Sequence, residues 1–131
     1  MLLMGRVVWL WVIAVLVAGS FSTTAASALP PSIVFKGQPI FERLVAQAER
    51  NNWRSLPLGE RTIAVGLALL GTPYRNFTLE IDDHVEAPSV NLAAVDCWTY
   101  FEIALGFARM LEVKGGGYTP PDLLAMIELD R

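Results

Sequence analysis

One cysteine in the chain has the surroundings of a nucleophile. Cys97 is the only cysteine, it follows Asp96, and it opens an apolar stretch that runs from Trp98 to Leu111. Aspartate is a favoured helix N-cap, so we predict a helix whose first residue is Cys97. The unpaired amides and the positive end of the helix dipole favour a thiolate at such a position. This pattern predicts nucleophilic attack on a carbonyl carbon, and the competing interpretation is a buried, inert cysteine.

Amide hydrolysis by a cysteine also needs an acid–base partner, and the sequence offers a single histidine. His84 follows Asp82 and Asp83 in what reads as an exposed acidic turn. A general base must be held within hydrogen-bond reach of its partner, and no apolar run fixes His84, so we predict a surface histidine. A minimal dyad in which His84 folds over Cys97 stays open. One histidine and one cysteine supply at most two of the four ligands of a structural zinc site, so we expect no metal and no cofactor.

Two further side chains are candidates for the same chemistry. Tyr74 follows the helix-ending turn Gly71-Thr72-Pro73, which can aim its phenol at a substrate or an oxyanion. The alternative for Tyr74 is a half-buried ring with a solvated hydroxyl. Glu102 lies on the apolar helix of Cys97, where it either orients a partner or forms a structural ion pair with Arg109, two turns further on.

Mainly helical elements are predicted to position these residues. Apolar spacing over 40–54 predicts an amphipathic helix, after a short arm or edge strand at 32–39. Ser55 is the expected cap of the next helix, which is nearly all apolar over 62–70 and therefore predicted to be buried on most sides.

The second half of the chain contains the irregular part and the predicted core helix. Alternating apolar residues over 77–81 give a weak strand signal, and 90–92 is read as extended. The Cys97 helix has one narrow polar strip, so we expect it to be central in the core. A last helix is predicted to begin at Thr119, after the glycine run 115–117.

The first 28 residues are typical of a secretory signal. Arg6 precedes the apolar run Val7–Ala18, which is short for a membrane span, and Ala26-Ser27-Ala28 is a suitable cleavage site. The alternative is an uncleaved anchor. Cleavage leaves about 100 residues, enough for one small domain. The net charge is −3 and the basic residues are scattered, which makes nucleic acid a poor candidate partner.

The turn Gly71-Thr72-Pro73-Tyr74, followed by Asp96-Cys97 at a helix start, resembles the NlpC-type papain-like cysteine hydrolases of bacterial cell walls. With Leu70, Leu79-Glu80, Asn91-Leu92 and the run Asp96–Glu102, the chain more closely resembles their N-acetylmuramoyl-L-alanine amidase-like branch. The likeness extends from about Phe41 to Arg131. It implies an α+β fold of N-terminal helices packed on a small antiparallel sheet. It also implies hydrolysis of an amide bond in murein, near the sugar-proximal L-alanine.

The resemblance also implies roles for single residues. Cys97 corresponds to the nucleophile, Tyr74 to a substrate or oxyanion contact and Asp96 to the helix-capping neighbour, and Glu102 completes the motif in a supporting place. In the family the sheet and the catalytic histidine follow the helix that here ends at Arg131, and His84 does not match that histidine.

We therefore expect a signal peptide (1–28), an arm (29–40) and a truncated amidase-like domain (41–131), mainly α because the antiparallel sheet is largely missing. The expected function is that of an exported cell-wall cysteine amidase fragment, located in the periplasm or cell envelope, which keeps the nucleophile and lacks the base. Its expected ligand is a murein peptide or glycopeptide, with no nucleic acid, no metal, and membrane contact only through an uncleaved signal. The alternative is a small non-catalytic envelope protein that binds a partner or glycan.

Overall fold

Helices dominate residues 29–131, the part of the chain that the structure, a computed structural model, describes. In chain order its elements are α1 (Pro31–Val34), β1 (Phe35–Lys36), α2 (Gln38–Arg50), the 3-10 turn η1 (Trp53–Ser55), α3 (Leu58–Ala68), β2 (Val90–Asn91), α4 (Cys97–Val113) and α5 (Pro120–Glu128). The predicted mainly α class is confirmed. Within residues 29–131 no helix is both long and apolar enough to cross a membrane. The predicted signal, 1–28, lies outside the described residues.

The segment predicted to be an arm or edge strand contributes the short strand β1 to the core. Phe35 in β1 is buried and pairs in parallel with Val90 of β2. Gly37 makes this close approach feasible, because its φ is 97° and a Cβ there would lie 2.7 Å from the Cβ of Leu92. A larger residue at position 37 would therefore push the two strands apart.

The core is built around α4, as the sequence predicts. The Phe41 ring of α2 packs edge-on against Phe35 and against Phe107 of α4, with both pairs of ring centroids 5.8 Å apart. From α5, Leu123 and Ile127 are fully buried in the same cluster. Each such side chain contributes about 1.5–3 kcal/mol relative to an exposed one, so α4 is held from several sides.

The prediction that α3 is buried on most sides is wrong. Val65 and Leu69 are buried, but Ile63, Leu67 and Leu70 are exposed at helical spacing. These residues are exposed because α3 lies at the edge of the described domain and packs mainly against α4, so only one side of the helix is covered.

Two local expectations are also corrected. The Ser55 hydroxyl donates to the carbonyl of Asn52, and α3 starts after Pro57 with no side-chain cap. The expected strand at 77–81 is an irregular loop, because Phe77 has a φ of 59° and no strand accommodates that value. The extended segment expected at 90–92 is present as β2.

Candidate functional site

The single thiol lies where the sequence predicts it. Cys97 is the first residue of α4 and it is exposed, which contradicts the interpretation as a buried cysteine. The first amides of a helix have no partner within the helix. Within residues 29–131 no hydrogen bond uses the N–H of Cys97 or of Trp98. The thiol therefore has two free backbone donors and the positive end of the helix dipole beside it.

The helix start is fixed by a reciprocal cap between Asp96 and Thr99. The Thr99 N–H donates to Oδ1 of Asp96 at 2.8 Å, and the Asp96 N–H donates to Oγ1 of Thr99 at 2.9 Å. This confirms Asp96 as the N-cap. The Thr99 N–H, assisted by the N–H of Thr78 and opposed by partial burial, holds the pKa of the Asp96 carboxyl below its usual value.

A residue that the sequence did not single out, Thr78, joins the cap from the preceding loop. Its N–H donates to Oδ2 of Asp96 at 3.2 Å, and its hydroxyl accepts from the Asp96 N–H at 2.9 Å. The hydroxyls of Thr78 and Thr99 lie 2.7 Å apart, and both side chains are buried. The spacing Asp-x-x-Thr is a local signal for Thr99, whereas nothing local connects Thr78 to a helix start so far along the chain.

The turn before Tyr74 positions this residue near the start of α4. Gly71 has a φ of 87°, and the Thr72 hydroxyl donates to the carbonyl of Leu69 at 2.7 Å. Tyr74 forms an isolated parallel bridge with Val95, the residue that precedes the cap. The predicted turn is thus present and close to Cys97. The Tyr74 side chain is mostly exposed, so its contact with a substrate or oxyanion stays a prediction.

The predicted pairing of Glu102 with Arg109 is wrong. Glu102 is only 4 % exposed, and both of its carboxylate oxygens accept from Arg131 at 2.9 Å. Arg109 instead forms an ion pair with Asp130. Arg131 also donates to the carbonyl of Leu79 at 3.1 Å. Through Arg131, Glu102 therefore supports the loop that contains Leu79. It is therefore a structural residue here and is not free to orient a catalytic histidine.

The only histidine of the sequence is a surface residue. The Nδ1 atom of His84 lies 2.6 Å from Oδ1 of Asp83 and 3.5 Å from Oδ1 of Asp82, and its side chain is exposed. Within residues 29–131 no hydrogen bond joins it to Cys97, so the dyad is not formed. These three neighbours also bring candidate metal-ligand atoms within 4.8 Å of one another, on an exposed acidic turn.

The described residues thus combine an exposed thiol with two unpaired amide donors, and no hydrogen bond among them joins the thiol to an acid–base side chain. The two segments on which the expected resemblance to cell-wall hydrolases rests, the Gly71–Tyr74 turn and the Asp96–Glu102 run, meet at the start of α4. No protein-family model, no curated protein and no solved structure matches the chain.

Proposed function

We propose that this chain supplies the nucleophile-bearing helical part of an exported papain-like cysteine amidase, which cleaves an amide bond in murein peptides or glycopeptides of the bacterial envelope. The observation that supports this most strongly is the exposed Cys97 thiol at the first residue of a capped helix. The turn that ends in Tyr74 lies beside this helix start, which agrees with the motif on which the proposal rests.

The site residues can carry the first half of an acyl transfer. After a base has taken the thiol proton, the Cys97 sulfur adds to the carbonyl carbon, a carbon–sulfur bond forms, and the carbonyl electron pair moves onto oxygen. The unpaired N–H groups of Cys97 and Trp98 are the proposed donors to that oxyanion. When the carbon–nitrogen bond breaks, the leaving amine must take up a proton, and a thioester remains on the sulfur for water to hydrolyse.

The proton for the leaving amine is what residues 29–131 do not provide. His84 is paired with Asp82 and Asp83 on the exposed turn, and no hydrogen bond within residues 29–131 joins it to Cys97. General acid–base catalysis contributes about 10²–10⁴-fold in such reactions. We therefore expect the chain alone to hydrolyse murein amides very slowly or not at all.

Chemical rescue with imidazole tests the proposal, because free imidazole can supply the missing proton transfer. Purified full chain is incubated with murein fragments, with and without imidazole, and amine release is measured. We expect imidazole-dependent release in the native chain and in His84→Ala, and none in Cys97→Ala. Equal release from the native chain and Cys97→Ala at every imidazole concentration would refute the proposal.

The same experiment separates the two alternatives. Strong hydrolysis without imidazole that disappears in His84→Ala would mean that His84 does reach the sulfur and acts as its partner. Binding of murein fragments that survives Cys97→Ala, with no imidazole-dependent release, would support the non-catalytic envelope protein instead. That alternative is favoured by one observation, the continuous core that residues 29–131 form by themselves.

A further inference from the structure

Four aromatic side chains at the start of α4 are turned to solvent. Tyr74, Phe77, Trp98 and Phe101 expose 67, 94, 59 and 54 % of their surface. Each aromatic side chain offers about 150–250 Å² for burial, so the four present several hundred Å² of apolar surface. We call these four residues the aromatic face. Patches of this size on a soluble domain mark interaction sites.

Backbone contacts bring the four residues to the same end of α4. Trp98 and Phe101 lie in the first turns of α4, directly after Cys97. Tyr74 is bridged to Val95, two residues before Cys97. Phe77 precedes Thr78, whose N–H is bonded to the cap of the same helix. The backbones of all four residues therefore lie around the start of α4, where the exposed thiol also lies.

The exposed position of Phe77 is energetically unfavourable, and no contact within the described fold compensates for it. Its φ of 59° is in the left-handed region, where bulky side chains are rare. The neighbouring Thr78 is buried and holds that backbone in place. Strained backbone persists mainly where it serves a function. We therefore expect a partner to cover the phenyl ring.

The loop that carries Tyr74 and Phe77 also carries exposed charges of both signs, which a self-complementary surface requires. Arg75 is exposed between Tyr74 and Phe77, and the acidic residues Glu80 and Asp83 follow in the same loop. Within residues 29–131, neither Arg75 nor Glu80 takes part in an ion pair. In a two-fold dimer, any contact between a basic group of one copy and an acidic group of the other occurs twice.

We propose that the aromatic face is the interface of a two-fold homodimer, in which Arg75 of each copy meets the acidic loop segment that contains Glu80 in the other. Two such faces together bury about 1,000 Å², the lower size of specific interfaces. The affinity is therefore modest and depends on salt. This interface does not depend on the chemistry of Cys97. Because it would cover the thiol, only the monomer would be open to murein.

Sedimentation of the full chain, purified from an exporting bacterial host, tests this over a dilution series up to about 100 μM. We expect a monomer–dimer equilibrium in the native chain. Phe77→Glu and Arg75→Glu should each weaken it at least about tenfold, and Arg75→Glu with Glu80→Arg should recover most of the loss. The matched control is Val113→Glu, which changes a side chain that is 74 % exposed at the other end of α4.

A second measurement follows the thiol itself. Alkylation of Cys97 should slow as the concentration of the native chain rises, and should not slow in Phe77→Glu. A native chain that stays monomeric at about 100 μM would overturn the proposal. So would association that Val113→Glu weakens as much as Phe77→Glu does, because that result indicates unspecific hydrophobic contact. Circular dichroism of each variant confirms that the helices are retained.

Discussion

The cap at the start of α4 is a sensitive place to test how the site is held. Asp96→Ala removes the acceptor of the Thr99 N–H at 2.8 Å and that of the Thr78 N–H at 3.2 Å. Loss of an N-cap costs about 1–2 kcal/mol, and a partly buried N–H left without a partner adds about 1 kcal/mol. We therefore expect the free energy of unfolding at neutral pH to fall by about 2–3 kcal/mol, measured by urea titration.

Asp96→Asn separates the contribution of the bond from the Thr99 N–H from that of the bond from the Thr78 N–H. Its amide oxygen still accepts from Thr99, whereas its NH₂ group faces the Thr78 N–H and cannot accept from it. The expected loss is about 1 kcal/mol. Asp83→Asn, on the exposed turn, is the matched control and should change the free energy of unfolding by less than about 0.5 kcal/mol.

The pH dependence of this loss follows from the pKa of Asp96. The folded-state pKa lies below the ordinary value of 3.8, so the carboxylate stabilises the fold fully above that value. That contribution disappears as the pH falls through the lower folded-state pKa. The difference between the native chain and Asp96→Asn should therefore shrink in acid. If Asp96→Ala and Asp96→Asn cost the same, or their cost persists unchanged in acid, the cap does not work as described.

Two further predictions concern the packing of α4 against the end of the chain. Arg131→Ala leaves the buried carboxylate of Glu102 without its partner and should lower the free energy of unfolding by about 3 kcal/mol. Replacing both, with Glu102→Leu and Arg131→Met, should recover most of that loss in a urea titration, and an additive double loss would contradict this account. A Cβ on Gly106 would lie 2.9 Å from Cδ1 of Ile127, so Gly106→Ala should lower the thermal midpoint despite its better helix propensity. Adding Ile127→Val should restore part of the midpoint, and no recovery would show that the steric explanation is wrong.

The sequence predicts well the features that neighbouring residues determine. The start of α4 at Cys97 follows from one capping residue and the apolar run behind it, and both lie within a few residues of each other. The turn at Gly71 is local in the same sense, because glycine and proline restrict the backbone directly. These two predictions carry most of the candidate site.

What the sequence does not predict depends on distant partners. Glu102 and Arg131 are both charged and far apart in the chain, so no spacing rule connects them. The apolar pattern of α3 predicts burial, but it does not say which side of a helix a neighbour covers, and Ile63 and Leu67 are left exposed. Thr78 belongs to the same class, because its role depends on a loop that returns to the helix start.

The pairing of β1 with β2 has a consequence for the order in which this domain assembles. Phe35 lies opposite Val90, which follows it by about half of the described chain. During synthesis the first strand therefore emerges long before its partner and keeps a phenyl ring uncovered in the interval. Contacts between such distant segments also slow folding, because the intervening loop must close first. Nascent chains that still lack residue 90 are expected to bind chaperones through the segment that contains Phe35.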